Sequence, residues 1–284
     1  MQSAPSPAQL RRRNCTGRAR AWLALSALCL SGGSQAAIEY DISQDQQSSW
    51  SGYVSAGYAR NSYSSESINS FEAFNFDARV SYKTDFGQWL LTVGGEQETL
   101  HGQEPSFYDP FFEFRTPLHQ INDTWSVKGS VGVYLPGSRL SDKQRLEYAP
   151  RLASYLFWTP DEAWNFYLSP RYQYNSYKYK TAGEEVLTEH QFDLVADGLW
   201  QFSKHWYIEV NGRYRWAQNY YGKGLDDSFI FAQELGWEFM PSTVVAIGHN
   251  NSGRFYNPER ASYQGFEFYN KKSSTFYMSV TKYL

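Results

Sequence analysis

The chain has 284 residues, with 26 basic and 29 acidic side chains, 18% aromatic residues and two cysteines; its mean hydropathy is −0.60. No stretch beyond residue 37 approaches the roughly 18 consecutive apolar residues of a spanning helix, so a helical membrane protein is excluded. An excess of acid over base also argues against a nucleic-acid partner, which selects a basic surface.

The first element in chain order is a leader. Arg11, Arg12, Arg13, Arg18 and Arg20 form a basic region, "AWLALSALCL" is a short apolar run, and "SQA" before Ala37 fits a small-x-small cleavage site. Residues 1–37 are therefore expected to be a cleaved secretory signal peptide, and residues 38–284 a single domain. The basic region is unusually long, consistent with a true start codon further downstream. Cys29 is preceded by Leu28, where a lipoprotein signal wants a small residue. Both cysteines, Cys15 and Cys29, fall in the leader, so the mature chain is expected to hold no disulfide, thiolate metal site or cysteine nucleophile. Five of the basic residues and none of the acidic ones lie in the leader, which takes the net charge of the remainder to −8.

From there to the end the hydrophobic period is two. "FNFDARVSYK" sets Phe74, Phe76, Ala78, Val80 and Tyr82 against Asn75, Asp77, Arg79, Ser81 and Lys83. "WSVKGSVGVYL" and "WYIEVNGRYRW" divide in the same way. Twelve such segments are predicted, at 49–60, 71–84, 88–98, 111–118, 124–135, 146–158, 164–177, 189–202, 206–218, 228–239, 243–251 and 272–284. Many are about ten residues long, the length of a tilted strand crossing a bilayer. High aromaticity with low mean hydropathy fits a wall with lipid on one side and a polar lumen on the other. The expected fold is all-β: a transmembrane antiparallel β-barrel of twelve strands.

The connections alternate in length. "TDFG", "HQINDT", "TPDEA", "SKH" and "MPST" are short, while six others, such as "YKYKTAGEEVLT" and the stretch from Ser252 to Lys271, are long. This is the pattern of short periplasmic turns and long extracellular loops, with both termini on the short-turn side. Trp89, Trp125, Trp164 and Trp206 follow short turns, Trp158, Trp200 and Trp237 precede them, and Trp50 opens the first strand. Indole prefers the membrane–water interface, so these residues should girdle the periplasmic rim, with Trp216 toward a long loop. In the last segment Phe276, Met278, Val280 and Leu284 alternate outward, as the barrel-assembly machinery requires, and Lys282 is placed to snorkel at the rim.

One motif raises the question of catalysis. "GHNNSGRFYNP", residues 248–258, loosely resembles the outer-membrane phospholipase motif, in which a histidine and a serine two apart face the lipid. Here His249 and Ser252 are three apart, which sends them to opposite faces of a strand. Asn251 stands where that serine would be. A bulge would restore the pair; otherwise Asn250, Asn251 and Gly253 lead out of the strand and place Arg254 in the external loop near the mouth. The other histidines show no metal-ligand spacing.

A charge facing mid-bilayer lipid costs about 2–4 kcal/mol, so strand charges must point inward. The alternation turns Arg79, Arg115, Lys128, Arg151, Arg171, Arg213 and Arg215 toward the lumen, together with Asp77, Glu96, Glu113, Asp193, Asp197, Glu209 and Glu234. Some of these would only pair to fill the space. The functional reading is a basic track for anionic solutes, with Tyr155, Tyr167 and Tyr207 placed to stack on sugar rings.

In "EYAPRLASYLFWTPDEAWNFYLSPRYQYNSY", "EHQFDLVADGLWQFSKHWYIEVNGRYRW", "FAQELGWEFMPS" and "STFYMSVTKYL" the chain resembles the small twelve-stranded oligosaccharide porins of the KdgM family. The likeness is one of strand rhythm and aromatic placement over the C-terminal half to two-thirds. It implies an outer-membrane channel of a Gram-negative bacterium, passing small hydrophilic solutes such as oligosaccharides. By position Arg151, Arg171, Arg213 and Arg215 would be counterparts of that family's basic tracks for acidic sugars. This chain departs in being longer, acidic, and mixed in its inward charges. The expectation is a monomeric channel with no cofactor, metal or catalytic chemistry, whose partners are outer-membrane lipid, the assembly machinery and small sugars. The alternatives are a lipid hydrolase using His249 and Ser252, and a non-conducting structural barrel with a filled lumen.

Overall fold

Alternation of apolar and polar side chains makes each segment a two-faced strand, and the backbone then decides how such strands assemble. The computed structural model describes residues 49–100, 104–257, 262–263, 265–271 and 273–284. The leader, residues 1–37, lies outside the described residues. Twelve long strands follow one another: β1 (Trp50–Asn61), β2 (Glu72–Thr84), β3 (Gly87–Glu98), β4 (Phe111–Arg115), β5 (Trp125–Tyr134), β6 (Leu146–Asp161), β7 (Trp164–Tyr174), β8 (Thr188–Ser203), β9 (Trp206–Asn219), β10 (Ser228–Met240), β11 (Thr243–Arg254) and β12 (Thr275–Tyr283). Each pairs antiparallel with its sequence neighbour. β12 also pairs with β1, from Tyr53↔Tyr283 to Asn61↔Thr275, so the sheet closes into a twelve-stranded barrel with no free edge.

The two faces of the wall invert the arrangement of a water-soluble sandwich. Phe74, Phe76, Val80, Leu91, Leu152, Leu168, Ile247, Met278 and Val280 are exposed on the outside, while the charged residues between them are buried inside. Such a surface is stable only in contact with hydrocarbon. At the short-turn end the tryptophans form cross-strand pairs. Trp125 stacks on Trp158, Trp164 on Trp200 and Trp206 on Trp237, with ring centroids 5.9, 5.3 and 5.6 Å apart. Strand register sets each pair opposite at the same height, which makes the indoles a girdle. Lys282 reaches back to that rim, where its Nζ donates to the Pro241 carbonyl at 3.0 Å and Thr243 Oγ1 at 3.2 Å.

The described connections keep the expected alternation of length. Between β5 and β6 a short helix, α1 (Arg139–Gln144), is capped by Ser138, whose side chain accepts from the Ser141 amide. Asp109 ties this loop down by accepting from the Gly137 and Ser138 amides at 2.9 and 2.8 Å and from the Ser141 hydroxyl.

Five predicted segments differ from the strands observed by three residues at one end; two of these are the sixth, which runs on to Asp161, and the twelfth, which begins at Thr275. The fourth, 111–118, stops at Arg115 because Pro117 has no N–H for the ladder; a two-residue stretch, His119–Gln120, then pairs with Val127 and Ser126. The seventh, 164–177, breaks after Tyr174, and Ser176–Tyr177 pair with Tyr148 and Leu146 across a register shift. The eleventh does not end at residue 251 but continues to Arg254, paired throughout with β10.

An epitope tag inserted in the hairpin at Ala182–Glu185, at the long-loop end, should be reached by antibody on intact cells. A tag between β6 and β7, at 162–163, should be reached only after the outer membrane is opened. The reverse labelling would invert the barrel.

Candidate functional site

Among the described residues the lumen gathers the buried charge. Inward positions of β4 contribute Phe111, Glu113 and Arg115, separated by the two-residue step of a strand. Glu113, 2% exposed, is a hub. One carboxylate oxygen accepts from Arg115 at 2.8 Å, and the other accepts from Arg151 on β6 at 2.9 Å and from the Tyr155 hydroxyl at 3.2 Å. Arg151 also donates to the Tyr134 hydroxyl at 3.1 Å and lies 4.0 Å over the Phe111 ring. The Tyr155 ring in turn has Arg115, Arg171 and Lys128 on it, at 5.1, 5.6 and 5.6 Å. Lys128 is also 5.0 Å from the Phe157 ring. Arg79 completes this wall, donating to Thr92 at 3.1 Å and lying over Tyr53, whose hydroxyl donates to Asp77. Cation–π contacts therefore supply much of the counter-field that one carboxylate cannot.

Toward the short-turn end the same wall becomes apolar. Tyr155, Phe157, Tyr167 and Val195 form a buried cluster, with Leu118 and Ala153 packed against it.

Across β8 to β10 the balance reverses. Asp193 holds Arg215 through two bonds of 2.6 and 2.8 Å. Beyond that pair the wall is acidic: Asp197 accepts from Asn211 at 3.0 Å, and Glu234 accepts from the Tyr207 and Tyr277 hydroxyls at 2.8 and 2.9 Å. The two tyrosines lie flat over glycines, since a Cβ at Gly236 or Gly248 would fall 2.1 or 2.2 Å from their rings. Glu209 stands directly across from Glu234 in the ladder.

Of the charged residues read as inward from the sequence, Asp77, Glu113, Arg115, Lys128, Arg151, Asp193, Asp197, Glu209 and Glu234 are buried. Arg79, Arg115, Lys128, Arg151 and Arg171 share one wall. Arg213 and Arg215 lie on another, in register with Val195 and Asp193. Within the expected basic track Arg115 and Arg151 share the single carboxylate of Glu113, and Arg215 pairs with Asp193, so part of its positive charge is offset. Tyr167 belongs to the apolar cluster, and Tyr207 is committed to Glu234. The central role of Glu113 and the tyrosine contacts of Glu234 were not anticipated. Their one sequence signal was parity within a strand; which strands meet across the lumen is set by closure.

The "GHNNSGRF" stretch is also corrected. It does not leave the strand at Asn250, since His249, Asn250, Asn251 and Ser252 pair in register with Gln233, Ala232, Phe231 and Ile230. Arg254 is accordingly the last residue of β11, paired with Asp226 at 3.2 Å, rather than a loop residue. His249 faces outward, packed against Phe268, Tyr269 and Phe276, and Asn251 beside it donates to the Glu267 carbonyl at 2.6 Å. Ser252 faces inward with Ile230. No bulge unites His249 and Ser252. Among the described residues no group of three or more His, Cys, Asp and Glu side chains is placed to hold a metal ion.

No protein-family model matches this chain, and no curated protein matches its sequence. Its fold is similar to solved structures. A NanC porin aligns with a TM-score of 0.54 at 13% identity, covering 81% of this chain and 98% of that one. An outer membrane channel from Pseudomonas putida F1 aligns with a TM-score of 0.53 at 11% identity, covering 83% and 95%. A KdgM porin aligns with a TM-score of 0.48 at 10% identity, covering 81% and 98%. At these identities the first two establish a shared barrel fold, and the resemblance read from the sequence holds as a likeness of architecture.

Replacing Glu113 by Gln should destabilise the barrel by about 3–5 kcal/mol, because two buried guanidinium groups lose their counter-charge. Urea unfolding of the refolded protein in detergent checks this. Tyr155→Phe, which removes one of the hydroxyl donors to Glu113, should cost less.

Proposed function

We propose that this protein is an outer-membrane channel for passive diffusion of small hydrophilic solutes, with oligosaccharides the favoured class. The observation that carries the reading is the lumen wall. Charged and aromatic side chains line the interior over the same band in which the exterior is apolar. A barrel built only as an anchor has no need of seven cationic and seven acidic residues inside. Both charge signs with interleaved aromatic rings suit a polar solute that exchanges water for hydrogen bonds and ring contacts. The shared fold with two channel proteins supports this reading.

The pairing of Arg115, Arg151 and Arg215 with carboxylates supports a neutral or mixed-charge solute better than the acidic sugars that the KdgM resemblance implies. A second reading, a non-conducting barrel, is favoured by the buried cluster of Tyr155, Phe157, Tyr167 and Val195, which narrows the lumen. The outward His249 and inward Ser252 support a protein without hydrolase chemistry.

Single-channel recording of refolded protein separates the readings. A channel gives unit conductance that added oligosaccharides interrupt; its absence would establish the filled barrel. Arg213→Glu with Arg215→Glu should shift selectivity toward cations with little loss of folding, and unchanged selectivity would count against a role for that wall. His249→Ala and Ser252→Ala should each leave flux nearly unchanged. Lipid hydrolysis by the unmodified protein, lost in both variants, would restore the enzyme reading.

A further inference from the structure

Glu209 presents a problem that the protein alone does not solve. It is 1% exposed, and no protein N–H or O–H donates to either of its carboxylate oxygens. Its charged neighbours are Asp197, whose carboxyl lies within hydrogen-bonding reach of its own, and Glu234. Glu209 and Glu234 are direct cross-strand partners on the lumen face, an arrangement that is destabilising for like charges. The surrounding donors are already committed: Tyr207 and Tyr277 to Glu234, and Asn211 to Asp197. Arg171 acts on Asp197, but no cation acts on Glu209: Arg115 and Arg151 close on Glu113, and Arg215 closes on Asp193.

A buried carboxylate that no cationic or amide N–H reaches, beside two further carboxylates, lacks a positively charged donor. A small metal ion is a poor candidate, since no three acidic side chains among the described residues are placed to close on one. An organic cation differs in the needed way. An ammonium or guanidinium group carries several directed N–H donors, spreads its charge over a larger radius, and satisfies both oxygens of a carboxylate at once. The tyrosine rings that flank the acidic pair add faces on which the adjoining carbons of such a group can rest.

We infer that Asp197, Glu209 and Glu234 form a binding site in the lumen for the ammonium or guanidinium group of a small solute. The inference rests on the channel reading, because a solute reaches Glu209 only through the lumen. The carboxylates are buried, so a cation meets them with little water between, where a fixed counter-charge matters most. Arg171, on the strand paired with that of Asp197, would meet any anionic or hydroxyl-bearing part of the same molecule.

The test uses refolded full-length barrel in detergent, with n-butylammonium chloride as probe and equimolar sodium chloride and butanol as controls. The probe should raise the unfolding temperature by about 2–4 °C over sodium, and butanol should not. Glu209→Gln should remove that shift, and Glu234→Gln, which leaves Glu209 in place, should weaken it. If Glu209→Gln fails to refold, the Glu234→Gln comparison decides. In bilayers the probe should block wild-type current at least about tenfold more strongly than that of Glu209→Gln. An equal shift in wild type and variants overturns the inference. So does an unresponsive wild type with a more stable Glu209→Gln, which would mean that the carboxylates share a proton instead. Current without a cation-dependent shift sinks this site and leaves the channel. A shift without current keeps the site and sinks the channel.

Discussion

Backbone hydrogen bonding in hydrocarbon is the constraint from which the rest of this molecule follows. An unpaired amide or carbonyl has no water to turn to inside a bilayer, so a sheet can exist there only if its last strand finds its first. The pairing of β12 with β1 meets that condition. Once the ring is closed, the pleat has two destinations, lipid and lumen, and each strand residue must suit one of them. The exposed Phe74, Val80, Leu152 and Met278 and the buried Asp77, Arg115, Arg151 and Asp193 are consequences of the same closure.

Closure also concentrates charge. Side chains that would be scattered over the surface of a soluble protein are brought into one interior, where burial enlarges Coulomb terms. The barrel manages this in two ways. On the arginine-rich wall one carboxylate, Glu113, holds two guanidinium groups, and the faces of Tyr155, Phe111 and Phe157 take up further cations. On the acidic wall tyrosine hydroxyls and an asparagine amide serve two carboxylates and leave Glu209 over. The residual field therefore differs from wall to wall.

Much of the fold was legible before any coordinates. Period-two alternation located all twelve strands, and the tryptophans beside short turns became cross-strand pairs at one rim. The errors fell at strand ends and have specific causes. Pro117 ended β4 early for want of an N–H. At the other end of the chain, Asn250, Asn251 and Gly253 were read as a turn from their residue types. They remain in β11, because Phe266, Phe268 and Tyr269 from the following loop fold down over the outer face of β10 and β11, and the Glu267 carbonyl accepts from the Asn251 side chain. A loop packed on the outside of a wall is a long-range event that local composition does not report.

By itself the sequence determined what each residue faces. The period of a strand is two, lipid rejects charge, and these facts placed Arg79, Arg115, Lys128, Arg151, Arg171, Arg213 and Arg215 inside from their numbering alone. It also settled that His249 and Ser252 could not share a face on a regular strand. Only the tertiary structure decided which inward residues meet. Glu113 touches Arg151 across 38 positions and Tyr277 reaches Glu234 across 43, contacts that depend on the register of every strand between them. Register fixes the height of each side chain in the lumen, and height, not parity, decides whether two opposite charges pair or two like charges are left facing each other.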